Sequence, residues 1–351
     1  MQQLVQDFIV TFTSILYEAM PFIVLGAVIA GVLEEIVPQQ MIARLVPKNR
    51  FLAISLSALL GLIFPMCECG IVPVMRRLLR KGLPLGCCVS YLLAGPIINP
   101  IVILSTIVAF QAPDDPTWLS AFEAGRGQLI VVFRVLGGFI VAVLTAFIVE
   151  RVYRKHGNSL LTPLARPPAP LPSPANGNDV PPPIASESPA EEHQEEEEAS
   201  HVKPTLWKRL SNISETALHD FVDITVFLIL GALLAATTRM FLTHSDIERL
   251  STSYPVVVIL AMMGLAIALC LCSEADAFVA ASFTSLPPSA KIAFLVLGPM
   301  ADLKLYMMYT RVFRPRLIYT IFGSVIVLSF IYSLVIHQIW LALKPAATGS
   351  G

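Results

Sequence analysis

The chain has 351 residues, 55% of them hydrophobic and 14% charged, with a net charge of −1 at pH 7. Soluble globular proteins carry about 45–50% apolar and about 25% charged residues, so these values exclude an ordinary water-soluble domain and point to lipid. A net charge this close to zero gives no electrostatic reason to expect nucleic acid as a partner. The N-terminal MQQLVQD has no basic region and leads into an apolar run too long for a signal core, so no cleavable secretory signal is expected.

Apolar runs follow at residues 8–37, 51–64, 83–110 and 129–149, then at 221–241, 255–272, 292–309 and 317–343. A helix needs about 20 such residues to cross a bilayer. Between the two groups lies residues 156–204, which pass from PPAPLPSP to the acidic EEHQEEEEA. A segment of this composition cannot bury enough apolar surface to offset its ordering entropy, and it reads as a disordered cytoplasmic linker. His193 and His201 beside those acids are weak cation-gathering candidates; a solvated tether is the plainer reading. The expected organisation is a first membrane repeat over 1–155, the linker, and a second membrane repeat over 205–351.

The two halves are related. A constant offset of 203 brings Cys67 onto Cys270, Cys69 onto Cys272, Pro84 onto Pro287, Gly95 onto Gly298, Pro96 onto Pro299 and Asn99 onto Asp302. A shift of 205 pairs Gly26 with Gly231 and Glu18 with Asp223. Sixteen basic residues, clustered at 44–50, 76–81, 151–155, 203–209 and 311–316, all fall on the cytoplasmic side under one arrangement. In it each half makes three crossings plus a re-entrant hairpin. The odd count inverts the second half and puts the C-terminus outside. The expected fold is therefore an all-α integral membrane protein of two inverted repeats with broken helices at the midplane, a recurring plan for secondary transporters.

The chemistry gathers at the breaks. In an unbroken helix Cys67 and Cys69 would point about 200° apart, so their sulfurs share a ligand only where the helix is interrupted. Pro65, Gly70 and Pro73 predict such a break across CECG; ALCLCSEAD has no proline. Opposed tips would bring Cys67, Glu68 and Cys69 toward Cys270, Cys272, Glu274 and Asp276. Thiolates are soft ligands suited to Cu(I), Zn and similar ions, which makes Cys67, Cys69, Cys270 and Cys272 the candidate cargo-metal ligands. Gly95-Pro96-x-x-Asn99 and Gly298-Pro299-x-x-Asp302 break a second helix in each half, freeing carbonyls and adding side-chain oxygens. Ionisable groups within a membrane are functional candidates by default. Glu274, Asp276 and Asp302 are accordingly assigned to proton coupling, and Lys304 to balancing one of these acids. Glu18 and Asp223 are weaker candidates, to cap a cavity or meet Arg134. Cys87 and Cys88 read as packing.

The segments PMCECGIVPVMRRLLRKGLPLG, LLAGPIINPIVILST, LCSEADAFVAASF and GPMADLK resemble a family of bacterial permeases that includes organoarsenical efflux permeases and proposed copper/zinc exporters. The resemblance covers both halves outside the linker. It implies a multi-pass protein of the bacterial cytoplasmic membrane with a translocation site at Cys67, Cys69, Cys270 and Cys272. In the arsenical exporters a Cys-Ser-Cys-like motif stands where this chain has Cys67-Glu68-Cys69, and a carboxylate between thiols suits a metal cation better than a neutral arsenical. The expected function is secondary efflux of a thiophilic cation or small solute, with no cofactor and no enzymatic activity. Two alternatives stand beside it. One is a subunit of a two-protein permease complex for a non-metal solute; the other is an intramembrane thiol oxidoreductase. No GxxxxGK[ST] loop is present, so direct use of ATP is not expected.

Overall fold

The computed structural model describes residues 2–36, 47, 49–64, 66–110, 126–162, 165, 206–239, 255–283 and 286–347. Pro65, the acidic loop 111–124 and linker residues 166–204, with His193 and His201, lie outside the described residues. Among the described residues the structure is helical, with one isolated bridge between Leu161 and Phe313. The first half comprises α1 (Gln2–Ile36), α2 (Arg50–Ala58), a one-turn α3 (Leu60–Ile63), α4 (Glu68–Arg80), α5 (Leu85–Ala94), α6 (Pro100–Ala109) and α7 (Arg126–His156). The second comprises α8 (Leu206–Arg239), α9 (Pro255–Leu269), α10 (Ala275–Ser282), α11 (Pro288–Leu297), α12 (Leu303–Thr310) and α13 (Pro315–Ala347). Apart from α3, which continues α2 after a turn at Leu59, one order of long and short helices occurs twice.

Four stretches are long and apolar enough to cross a membrane: Phe8–Glu35, Leu129–His156, Ser211–Leu234 and Pro315–Ala342. The chain is thus a multi-pass membrane protein. Runs 83–110 and 292–309 are each split, α5 and α6 having 10 residues apiece. Ten residues span roughly 15 Å, half of a hydrocarbon core about 30 Å thick. The split falls on the Gly-Pro motifs, where proline has no N–H to continue the ladder. Asn99 and Asp302 then restart the chain as N-caps. Asn99 Oδ1 accepts from the Ile101 amide at 2.9 Å, and Asp302 Oδ1 from that of Leu305 at 2.5 Å.

The hairpin break differs from the expected one. Among the described residues Phe64, Met66 and Cys67 are non-helical; Cys67 is the N-cap of α4, and Gly70 and Pro73 lie inside that helix. Gly70 is there for a close approach. A Cβ on it would stand 2.8 Å from the Phe22 carbonyl of α1, so its absence lets two backbones touch. In the second half the break is wider, from Cys270 to Glu274, and Cys270 has φ 49°. That left-handed conformation favours glycine and is strained for a residue with a side chain.

Helices α1 and α8 run antiparallel along one another: Gly31 meets Ile213, while Ile15 packs with Ala232. So do α7 and α13, where Tyr332 Oη donates to the Phe133 carbonyl and Leu161 pairs with Phe313. One end of the bundle gathers the last turns of α1, α4, α7 and α12 with the first turns of α2, α5 and α13 and with Asp220 and Asp223 of α8. At the other end the first turn of α11 meets the last residues of α6 and the later part of α13, through Lys291 over Phe110 and Ser289 against His337. Each half also reaches into the other, α4 packing on α12 and α6 on α10. The start of the linker is ordered: residues 157–160 form a 3-10 turn, and Thr162 bonds the carbonyls of Arg311 and Val312.

Candidate functional site

Three of the four paired cysteines converge. With Cys67 at the N-cap and Cys69 in the first turn of α4, their thiols lie close enough to interact, and Cys67 is likewise within reach of Cys272 across the halves. Cys272 in turn contacts Glu18 of α1. Cys270 makes no such thiol contact, although it lines the same cavity as Cys69 and Cys272. Its sulfur faces the Ile267 carbonyl at 3.4 Å and the Leu303 and Lys304 amides that open α12. No disulfide joins any of the six cysteines. Among the described residues no three His, Cys, Asp or Glu side chains are spaced to hold a metal ion as they stand. Pro73 has no N–H for the Cys69 carbonyl four residues earlier, so that oxygen lacks its helical partner beside the thiols.

A buried ion pair lies against this cluster and ties the halves together. Lys304 Nζ bonds Glu68 Oε1 at 2.9 Å and stands 3.9 Å from Asp302 Oδ2. Both partners are sealed, Glu68 at 1% and Lys304 at 2% exposure. Sequence reading gave Lys304 to one of Glu274, Asp276 and Asp302; its nearest partner is Glu68. Glu68 Oε2 and Asp302 Oδ2 have no hydrogen-bond partner among the described residues. Glu274 is half-buried, within electrostatic reach of Glu18 and Glu68.

A second polar group adjoins the first. Arg134, in the first third of α7, is wholly buried; it donates to Thr106 Oγ1 at 2.7 Å and to the Ser273 carbonyl at 2.6 Å. Asp276 is within its electrostatic reach without a direct ion pair, and its Oδ2 packs on Gly298, where a Cβ would stand 2.7 Å away. Asn99, assigned to cargo from sequence, spends its oxygen on the α6 cap and keeps a buried Nδ2 with no partner among the described residues. Arg134 escaped assignment because its partners lie 28 and 139 residues away.

Glu18 and Asp223, mates in the repeat, part company. Glu18 lines a cavity of about 40 Å³ together with Cys69, Cys270, Cys272 and Lys304, beside Thr11 and Ser14 of α1. Asp223 sits at the basic end of the bundle, 2.8 Å from Arg311 and 3.5 Å from Arg76. Neither makes an ion pair with Arg134. Asp220, one helical turn earlier, is fully buried and takes Arg77 at 2.8 Å and Arg76 at 3.4 Å, while Arg77 also reaches Glu34 at 3.7 Å. These pairs close the bundle at the end opposite Thr11 and Ser14. Their sequence signal is an Arg-Arg pair on one helix and two acids three residues apart on another. Cys87 and Cys88 are buried in α5, away from this site, Cys87 against Ser57.

Broken helices, crossing segments and a sealed polar centre shared by two halves define a multi-pass permease. The chain belongs to the predicted permease family, of the ArsP type, whose family model matches residues 4–338. It is 36% identical to the UPF0718 protein YcgR of Bacillus subtilis, over 93% of this chain and 95% of that one. It is 30% identical, over 93% of both chains, to a Streptococcus mutans protein named as a two-component membrane permease complex subunit. The UPF0718 protein YraQ of Escherichia coli is 24% identical over 38% of this chain and 34% of its own length. No solved structure matches the chain.

Proposed function

We propose that this chain is a secondary permease of the bacterial cytoplasmic membrane, built as two inverted repeats, that exports a thiophilic cation through the Cys67–Cys69–Cys272 site. The observation carrying the site is the meeting of Cys67 with both Cys69 and Cys272 at two helix breaks, beside Glu68 and Lys304. Three soft donors from opposite halves change their spacing whenever the halves move, which is what a site loaded on one side and emptied on the other requires. The antiparallel courses of α1 with α8 and of α7 with α13 support the inverted repeat, as does the collection of Arg76, Arg77 and Arg311 at one end. The cavity is lined by Thr11 and Ser14, on the side away from that end, which supports reading the basic end as the closed, cytoplasmic one. Glu18, Glu274, Asp276 and Asp302 surround the site, and a buried carboxyl that yields its proton to an incoming cation couples export to proton entry. The Streptococcus mutans relative's name adds a second membrane subunit to the proposal.

In everted vesicles, Cys67→Ser and Cys272→Ser are each expected to lower cation uptake at least a hundredfold with the protein still folded. Cys270→Gly, which suits the left-handed backbone, retains at least half of it. Uptake surviving in both serine variants would remove the thiol site. A Cys67–Cys69 or Cys67–Cys272 disulfide that cycles during growth, detected by thiol trapping, would favour an oxidoreductase instead.

Reporter fusions test the topology: one within residues 170–200 is expected to report cytoplasm and one after residue 347 the outside. Both on the same side would mean parallel repeats.

A further inference from the structure

The break that carries Cys272 has no local cause in its own residues. No proline or glycine lies between Cys270 and Asp276, yet Cys270 stands at φ 49°. A left-handed backbone at a residue with a side chain persists only where its surroundings over-determine it. The contact that does so comes from the other half of the chain. We propose that Arg134 is the positioning residue of the thiol site: by pinning the Ser273 carbonyl to α7 it holds Cys272 against Cys67. The inference rests on reading the thiols as the place where the cation binds.

Three features carry it. First, the hold on the break is direct. Arg134 Nη2 donates to the Ser273 carbonyl at 2.6 Å, and the Cys272 carbonyl just before it accepts from the Asp276 amide at 3.0 Å. Two successive carbonyls are thereby fixed, one by the first half and one by the start of α10, and the backbone of Cys272 has little room to turn. Second, the guanidinium is itself held. Nη1 donates to Thr106 Oγ1 at 2.7 Å, while Thr106 spends its own hydroxyl hydrogen on the Val102 carbonyl at 2.6 Å and so keeps its lone pairs for Arg134. A guanidinium is a planar fork, so two bonds to different nitrogens set its plane; an ammonium has no plane to set. Third, this arginine is costly where it stands. It is 1% exposed, and both of its hydrogen-bond partners are neutral. An apolar side chain would pack α7 without the desolvation cost, and ionisable groups retained inside a membrane are functional by default. What Arg134 does that an apolar residue cannot is reach across the halves to the residue beside Cys272.

The test is Cd²⁺ binding to purified full-length protein in detergent, read by thiolate–cadmium charge-transfer absorption per folded molecule. Arg134→Met is expected to bind Cd²⁺ at least tenfold more weakly than the parent. It should also lose about a third of the absorption at saturation, as one of three thiolate ligands drops out. Arg134→Lys keeps the charge but not the plane, and is expected to recover less than half of that loss. In a Cys272→Ser background, Arg134→Met should change the affinity less than twofold, because the thiol it positions is gone. Should both Arg134 variants fail to fold, Thr106→Val decides: it keeps the shape of threonine but frees the guanidinium. It is expected to lower the affinity at least threefold, with the same loss of absorption. Parental affinity and full absorption in the variants that fold, or an equal loss of affinity with and without Cys272, would overturn the proposal and leave Arg134 a packing residue. Binding that is absent in the parent, or unchanged in Cys67→Ser with Cys272→Ser, would overturn the thiol site itself, whereas failure at Arg134 alone leaves that site standing.

Discussion

Replacing Asp220 by alanine is expected to destabilise the protein by about 3–5 kcal/mol, the usual cost of removing one member of a buried ion pair. Asp220 is 0% exposed and takes Arg77 Nε at 2.9 Å, Arg77 Nη2 at 2.8 Å and Arg76 Nη2 at 3.4 Å. Its loss leaves the two buried guanidinium groups only their looser carboxylates, Asp223 at 3.5 Å from Arg76 and Glu34 at 3.7 Å from Arg77. Asp223→Ala should cost less, about 1 kcal/mol, because Asp223 and Arg311 remain partly exposed and Arg76, its other partner, keeps Asp220. Unfolding of the purified variants in detergent checks both values. A loss below 1 kcal/mol for Asp220→Ala would mean that Arg76 and Arg77 find other partners without their helices moving apart.

The second large effect is steric. Gly26 and Gly70 meet where α1 crosses α4, and a Cβ at Gly26 would collide with the Gly70 backbone. Because the obstacle is backbone, no side-chain rotation relieves it. Overpacking of this kind costs about 1–3 kcal/mol where neighbours can yield, and more where they cannot. Gly26→Val and Gly70→Val are expected to exceed 3 kcal/mol or to prevent assembly. Gly264→Ala and Gly323→Ala, where a Cβ meets nothing within 4 Å, are expected to change stability by less than 1 kcal/mol. Cross-linking from α1 to α4 in membranes provides a readout that does not depend on purification. Normal cross-linking in Gly26→Val would show that the crossing tolerates separation.

The helix breaks at Gly95-Pro96 and Gly298-Pro299 were legible in the sequence because proline's missing N–H acts locally, whatever surrounds it. The repeat was legible too, since two cysteines and a Gly-Pro pair kept one spacing. What a glycine or an acid does with its neighbours was not. Gly70 reads as a helix breaker in CECG, yet it sits within α4 and serves the crossing with α1, a role that only the Phe22 carbonyl reveals. Glu18 and Asp223 occupy matching positions but reach different depths, one beside Cys272 and one beside Arg311. The likeness of α1 and α8 in sequence does not fix how far each slides along its partners. Spacing groups Cys270 with the other thiols, and it does share their cavity, but without thiol contact. Its left-handed backbone turns it toward α12, a torsion that no residue pattern announces.

The Glu68–Lys304 bond bears on what the two halves share. Under the offset of 203 the counterpart of Lys304 in the first half is Ile101. A first half paired with a copy of itself in place of the second half would therefore set Glu68 against isoleucine in place of lysine. A first half expressed alone keeps that mismatch, whereas co-expressed halves restore the lysine. The two halves thus share an order of helices but not a distribution of charge: Lys304 holds Glu68 from one side, and nothing equivalent stands at Ile101, so the centre is electrically one-sided.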